Sequence, residues 1–192
     1  MAATTLTPRE KWIEQGLQAL ASGGPEVVRI EALAKGLGVT KGGFYGHFKD
    51  RRALLTAMLD SWERESTDEV LATIEREGGD PRTRARRAGA LTFSDDRLRP
   101  LDLAIRDWAR RDRAVAERLR RVDNARMGLL REMIGTVCDD PDEVEARSLL
   151  AFCVAIGEGL LAVDHGERTR SQVLAAATDL LFATPEPIQD RT

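Results

Sequence analysis

The chain has 192 residues, 42% hydrophobic and 32% charged, the balance of an ordinary globular protein and not of a disordered or fibrous one. No window approaches about 18 uncharged apolar residues and the first 25 residues lack the basic-then-apolar order of a signal peptide, so a cytoplasmic protein with no membrane partner is expected. The net charge of −3 hides an asymmetry: residues 1–56 carry eight Lys and Arg against five acids, a local +3, while the remainder carries 21 against 27, and phosphate contacts depend on one face, not on the average.

The periodicity is helical nearly throughout, with little β-branched alternation and no Asn-Gly hairpin signal, so an all-α fold of about nine helices is expected. Thr7-Pro8-Arg9-Glu10 is a capping box with Pro at the first helical position. It opens a helix whose inner stripe is Trp12, Ile13, Leu17 and Leu20, and which Gly23-Gly24-Pro25 stops. A short helix over residues 29–36 follows. Gly38-Val39 turns the chain into a third helix over 40–46, with Thr40 as its cap. Asp50 caps a fourth, with Leu54, Leu55, Met58, Leu59 and Trp62 inward, running toward residue 75.

Asp80-Pro81 repeats the start signal for a helix reaching about Phe93, and its Arg82, Arg84, Arg86 and Arg87 read as a solvated charge run or as a contact to an anionic partner such as nucleic acid. After a polar break at 94–99, Pro100 starts a segment with Leu101, Ile105 and Trp108 on one face; Asp112 marks a cap before a longer helix over 113–136. Asp140-Pro141-Asp142-Glu143 is another start signature and leads into SLLAFCVAIGEGLLAV, the most apolar run, which His165-Gly166 ends. Residues 169–183 make the last helix and PEPIQDRT a loose tail. Cys138 and Cys153 lie in apolar surroundings without CxxC spacing, so buried inert thiols are expected, with no disulfide framework, zinc site or cofactor.

The chemistry concentrates in residues 29–52. A helix, a short turn containing Gly and a second helix make a helix-turn-helix pattern, with Ala34 small at the crossing and Gly38 suited to a positive φ in the turn. The second helix is costly as structure: Gly42 and Gly43 each lose roughly 1 kcal/mol of helix propensity relative to Ala. A surface that must approach another backbone closely explains the expense, and the major groove admits such a helix. Lys41 and Tyr45 then reach base edges or phosphates, and Lys49, Arg51 and Arg52 add phosphate contacts. His47 reads as a phosphate contact or a packed neutral ring; with only His165 besides it, and neither Cys nor carboxylate at ligand spacing, metal binding is not expected.

The segment LAKGLGVTKGGFYGHFKDRRALL resembles the DNA-binding signature of the TetR/AcrR family of transcriptional regulators: Gly38, Val39, Thr40, Phe44, Tyr45, His47, Phe48, Asp50, Arg51 and Leu54 match in order without gaps. The resemblance covers roughly residues 10–58. It implies an N-terminal three-helix helix-turn-helix domain (1–56), a larger C-terminal helical domain for effector binding and dimerisation (57–184) and a flexible tail (185–192). It also implies a homodimer on a pseudopalindromic double-stranded DNA operator, released by an unidentified small-molecule effector. Carried over by position, Thr40, Lys41, Gly43 and Tyr45 face the groove, and His47 and Arg51 contact phosphate. The family often has a Thr or Ser capping the second helix, where this chain has Val28-Arg29; Arg29 replaces that contact or the contact is missing.

The helix around 144–164 is apolar over more than one neighbour requires. With the last helix it resembles the family's four-helix dimer interface, which assigns Leu149, Phe152, Ile156, Gly159, Leu160, Val173, Ala177 and Leu181 to dimerisation; a central helix of a monomeric bundle is the alternative. Trp62, Phe93, Trp108, Met127 and Phe152 are large or soft groups suited to lining an effector cavity, or to simple core. Enzyme motifs such as HExxH, GxSxG or a Gly-rich loop after a strand are missing from the sequence, so no catalysis is expected. The competing reading is a helical protein-interaction module without specific DNA binding, against which the local +3 around Tyr45-Gly46-His47 argues.

Overall fold

The computed structural model describes residues 8–67, 72, 76, 98–158 and 160–183. Within them the chain is all α, with eight helices: α1 Pro8–Gly23, α2 Ile30–Leu37, α3 Lys41–Tyr45, α4 Arg51–Ser66, α5 Leu98–Ala109, α6 Arg113–Ile134, α7 Pro141–Glu158 and α8 Arg170–Leu181. The helix expected over 80–93, the Thr7 half of the first capping box and the C-terminal tail lie outside the described residues. Two compact units are present: the first holds α1 to α5 and residues 113–122 of α6, the second the rest of α6, α7 and α8.

The first unit is built around α1, which turns Trp12, Ile13, Leu17 and Leu20 inward as its periodicity predicts and packs against α2, α4 and α5. Gly16 is what lets α4 come close, since a Cβ there would lie 2.6 Å from the Met58 sulfur. Gly24, at φ 78°, ends α1 and leads into a 3-10 turn, Pro25–Val27. Asp50 caps α4 by accepting from the Ala53 N–H at 2.8 Å, and α4 ends at Ser66, well short of residue 75.

The core of this unit continues past the helix-turn-helix: Leu101 and Ile105 of α5 and Val115 and Val122 of α6 belong to the same buried cluster as Leu54, Met58 and Trp62. Polar ties hold α5 and α6 to α4. The Trp62 indole N–H donates to Asp102 at 3.3 Å, Arg106 pairs with the same carboxylate, and Arg118 reaches Asp60 at 2.6 Å and Glu63 at 2.9 Å. α5 begins two residues before Pro100, a position in the first turn where a missing N–H is harmless. Asp112 caps α6 through the N–H groups of Ala114 and Val115.

In the second unit Asp140 accepts from the N–H of Asp142 at the start of α7, and Arg131 of α6 grips Glu145 of α7 with two bonds, at 2.5 and 2.8 Å. Arg147 donates to the carbonyls of Leu181 (3.2 Å) and Ala183 (2.5 Å), satisfying acceptors that the end of α8 leaves open. Thr169 and Gln172 form a full capping box at the start of α8, a signal the sequence reading passed over. α7 stops at Glu158 and not near residue 164; the N–H groups of Leu160 and Leu161 both turn back to the Gly157 carbonyl, in a stretch where two glycines weaken the helix. Cys138 is buried as expected, but Cys153 is exposed, which corrects the reading of both thiols as buried.

Candidate nucleic-acid interface

α2 ends in Gly38, whose left-handed backbone (φ 69°, ψ 27°) only glycine adopts without strain. The Val39 N–H returns to the Ala34 carbonyl at 3.0 Å, closing the turn that the sequence pattern predicts. The chain then enters α3 through Thr40, which holds the cap position in extended geometry but makes no side-chain capping bond, contrary to the expectation for its hydroxyl.

A five-residue helix with two glycines has little helical stability of its own. What fixes α3 is Phe44, which is wholly buried. Its ring meets Trp12 of α1 edge-on at 5.3 Å, stacks on Phe48 at 5.4 Å and takes the edge of Tyr45 at 5.3 Å. The Arg9 guanidinium lies 4.9 Å from the Phe48 ring centre on the same cluster. With one residue buried this firmly, the other four are left outside: Lys41, Gly42, Gly43 and Tyr45 are all exposed, Tyr45 at 55%.

Neither glycine is there for the fold. Their φ values are not positive, a Cβ at Gly43 would meet nothing within 4 Å, and one at Gly42 would only touch the Thr40 hydroxyl at 3.7 Å. At about 100° per residue, Gly42 stands nearly opposite Phe44, with Gly43 on one flank and Tyr45 on the other. The outermost edge of α3 is therefore bare backbone at Gly42 and Gly43, bordered on one side by the Tyr45 ring with Lys41 beyond it.

Among the remaining expected contacts, Arg29, His47 and Lys49 are exposed, as is Arg52. Arg29 occupies the cap position of α2 without a capping bond from its side chain and reaches the Glu26 carbonyl only at 3.4 Å. Arg51 departs from expectation. Its guanidinium is half-buried and donates to the Val28 carbonyl at 2.6 Å and to the Pro25 carbonyl, so it ties the start of α4 to the turn between α1 and α2 instead of standing free for a phosphate. Lys41 pairs with Glu31 of α2 at 2.5 Å, and that hydrogen bond holds the Lys41 ammonium above its ordinary pKa and the Glu31 carboxyl below its own.

The expected effector residues are divided between the two units. Trp62 is fully enclosed in the core of the first unit with its N–H on Asp102, as the simple-core alternative expects. Trp108 packs half-buried against that same core. Met127 and Phe152 lie together in the second unit beside Leu130 and Met133, and Phe93 lies outside the described residues. Of the expected dimer residues, Leu149 and Leu160 are exposed, while Phe152, Ile156, Val173, Ala177 and Leu181 are half-buried and Gly159 lies outside the described residues. Leu150, Val154, Leu161 and Leu180, outside the set assigned to dimerisation, are exposed as well, the last at 76%. Among the described residues no group of His, Cys, Asp and Glu is placed to hold a metal ion, and no helix is long and apolar enough to cross a membrane.

A buried aromatic anchor, a glycine turn and an exposed, side-chain-poor second helix define a helix-turn-helix module of the DNA-reading kind. Residues 13–58 match the model of the tetR family of bacterial regulatory proteins. No curated protein sequence matches the chain. Solved structures share the fold: a transcriptional regulator from Rhodococcus sp. Rha1 is 21% identical with a TM-score of 0.67, over 92% of this chain and 94% of its own. A Rhodococcus sp. protein assigned to the TetR family is 25% identical with a TM-score of 0.58, over 91% and 98%. AibR, solved with isovaleryl coenzyme A and operator DNA, is 14% identical with a TM-score of 0.64, over 91% and 97%. Residues 13–58 thus carry the module of the tetR family of bacterial regulatory proteins, and the chain shares its fold with solved transcriptional regulators over more than nine-tenths of its length.

Proposed function

We propose that the protein is a homodimeric repressor that reads a pseudopalindromic operator with α3 and releases it when a small molecule binds the second part of the chain. The observation that carries this reading is the outer edge of α3: two glycines that neither φ nor packing requires, set where an approaching duplex would need the backbone bare. Thr40, Lys41, Gly43 and Tyr45 are the groove-facing set, with Gly42 at their centre, and Arg29, His47, Lys49 and Arg52 supply phosphate contacts. Residues 1–56 act as the DNA-binding domain and 57–184 as the effector-binding and dimerisation domain.

Dimerisation is supported by the apolar side chains left exposed on α7 and just after it, Leu149, Leu150, Val154, Leu160 and Leu161, with Leu180 of α8. A two-fold dimer would set two copies of α3 about one DNA turn, roughly 34 Å, apart. The Met127 and Phe152 cluster is the proposed wall of the effector site, and the ligand in the AibR structure makes an acyl thioester one class to try. α6 contributes to both compact units, so a ligand that moves its second half bears on the half tied to α4 through Arg118. A coupling of about 1–3 kcal/mol would change operator affinity about 5- to 150-fold.

Selection of bound sequences from random duplexes tests the reading. An inverted repeat, bound with an affinity that falls steeply with salt, is expected. Failure to bind any duplex in dilute salt would leave a helical interaction module instead.

A further inference from the structure

Glu31 and Lys41 lie ten residues apart, on the two helices of the helix-turn-helix, and meet at 2.5 Å with their side chains 66% and 52% exposed. A pair so open to water contributes little to folding. Its effect falls instead on what Lys41 does with an outside partner. The Glu31 carboxyl is held ionised first by its hydrogen bond to Lys41 and also by the nearby Arg29 charge. Tyr45, four residues on from Lys41 and on the same face of α3, bears on the lysine as well.

We propose that Glu31 is a specificity-determining residue, withholding Lys41 from the phosphate backbone while leaving it available to a neutral acceptor on a base edge. The inference rests on the reading of α3 as the DNA-contacting helix. Coulomb energy falls as 1/r, so when the ammonium sits about 4 Å from a phosphate and the carboxylate about 6 Å from it, the repulsion cancels about two-thirds of the attraction. A guanine O6 or N7 belongs to a base with no net charge, whose dipolar interaction falls off faster with distance, so the carboxylate cancels a smaller share there. An ammonium has three donors, so one stays on Glu31 and aims the group while another goes to the base. Arbitrary duplex, which offers Lys41 only phosphate, is therefore penalised more than the operator.

Wild type, Glu31→Gln, Lys41→Ala and the double variant are compared by fluorescence anisotropy on a selected operator and on an unrelated duplex, over a range of salt. Unchanged thermal melting confirms that the exposed substitutions leave the fold intact. Glu31→Gln is expected to bind the unrelated duplex about 3- to 8-fold more tightly at 0.1 M salt with a slope steeper by about 0.9, the signature of one more phosphate neutralised. Operator affinity changes less than about twofold, so the ratio between the two falls, and in the Lys41→Ala background the steeper slope disappears. Equal gains on both duplexes, no change on either, or a loss on the operator without a gain on the unrelated duplex each overturn the proposal alone. A wild-type chain that binds neither duplex overturns the DNA reading, and this inference with it.

Discussion

Replacing Gly42 or Gly43 with Ala separates the fold's demand on α3 from the duplex's demand, because the two act with opposite signs. Inside the protein the change is benign: the new Cβ meets nothing within 4 Å at Gly43 and only the Thr40 hydroxyl at Gly42, and neither backbone has a positive φ. Alanine gains up to about 1 kcal/mol of helix propensity at either position, which for a chain of this size raises Tm by about 2–4 °C. On the proposed reading of α3 as the groove-entering helix, the same methyl enters the closest contact with DNA. A methyl forced into a close-packed contact costs about 1–3 kcal/mol, a loss of about 5- to 150-fold in Kd, and Gly42→Ala is expected to lose more because it stands nearly opposite Phe44. Thermal melting and operator titration on the same preparations read both effects. A variant that is more stable and binds worse cannot be explained by damage to the fold. Unchanged operator affinity in both variants would refute the argument that the bare edge of α3 exists for close approach.

Arg51→Ala is expected to lower stability by about 1.5–3 kcal/mol, since it removes charged hydrogen bonds to the carbonyls of Val28 and Pro25. Arg51→Lys should not restore it, because one ammonium does not reproduce a guanidinium fork; a melt unchanged by Arg51→Ala would return Arg51 to the phosphate contacts. Cys153 is exposed on α7 and Cys138 is buried. If α7 forms the proposed dimer face, a thiol reagent is expected to modify one cysteine rapidly in a protomer whose association has been broken by Leu150→Asp, and neither in the associated protein. Rapid modification of Cys153 in the unaltered protein at high concentration would place the dimer contact elsewhere.

What the sequence made legible is local. The Gly38 turn, the Asp50, Asp112 and Asp140 caps and the inner stripe of α1 are each decided within a few residues, and each stands where the pattern puts it. What it hid depends on chain segments meeting at a distance. The role of Arg51 is set by carbonyls more than 20 residues earlier, and a basic residue opening a helix beside a DNA-binding signature gives no hint that its charge is turned inward. Trp62 has the size expected of a cavity wall, but Asp102, 40 residues away, supplies the acceptor that makes its burial tolerable. The early end of α7 was foreshadowed by Gly157 and Gly159, whose cost was outweighed in reading the sequence by the apolar run around them. Gly16 offered no signal at all, since only the approach of Met58 gives it meaning.

The division of labour within α3 explains how so weak a helix can hold a fixed geometry. Phe44 carries the packing, buried among Trp12, Phe48 and the edge of Tyr45, while Gly38 before it and the Asp50 cap after it set where the chain enters and leaves. The positions between them are held in a helix by their surroundings and not by their own propensity. Thr40, Lys41, Gly42 and Gly43 are thereby freed from any part in the core, so their identities can be chosen by what lies outside. That is the condition under which two adjacent glycines survive in a helix: the local conformation is secured elsewhere, and on the proposed reading the missing side chains serve the partner. Glu31 fits the same division, because it too belongs to no core and its side chain meets α3 only at Lys41, where the proposed role lies.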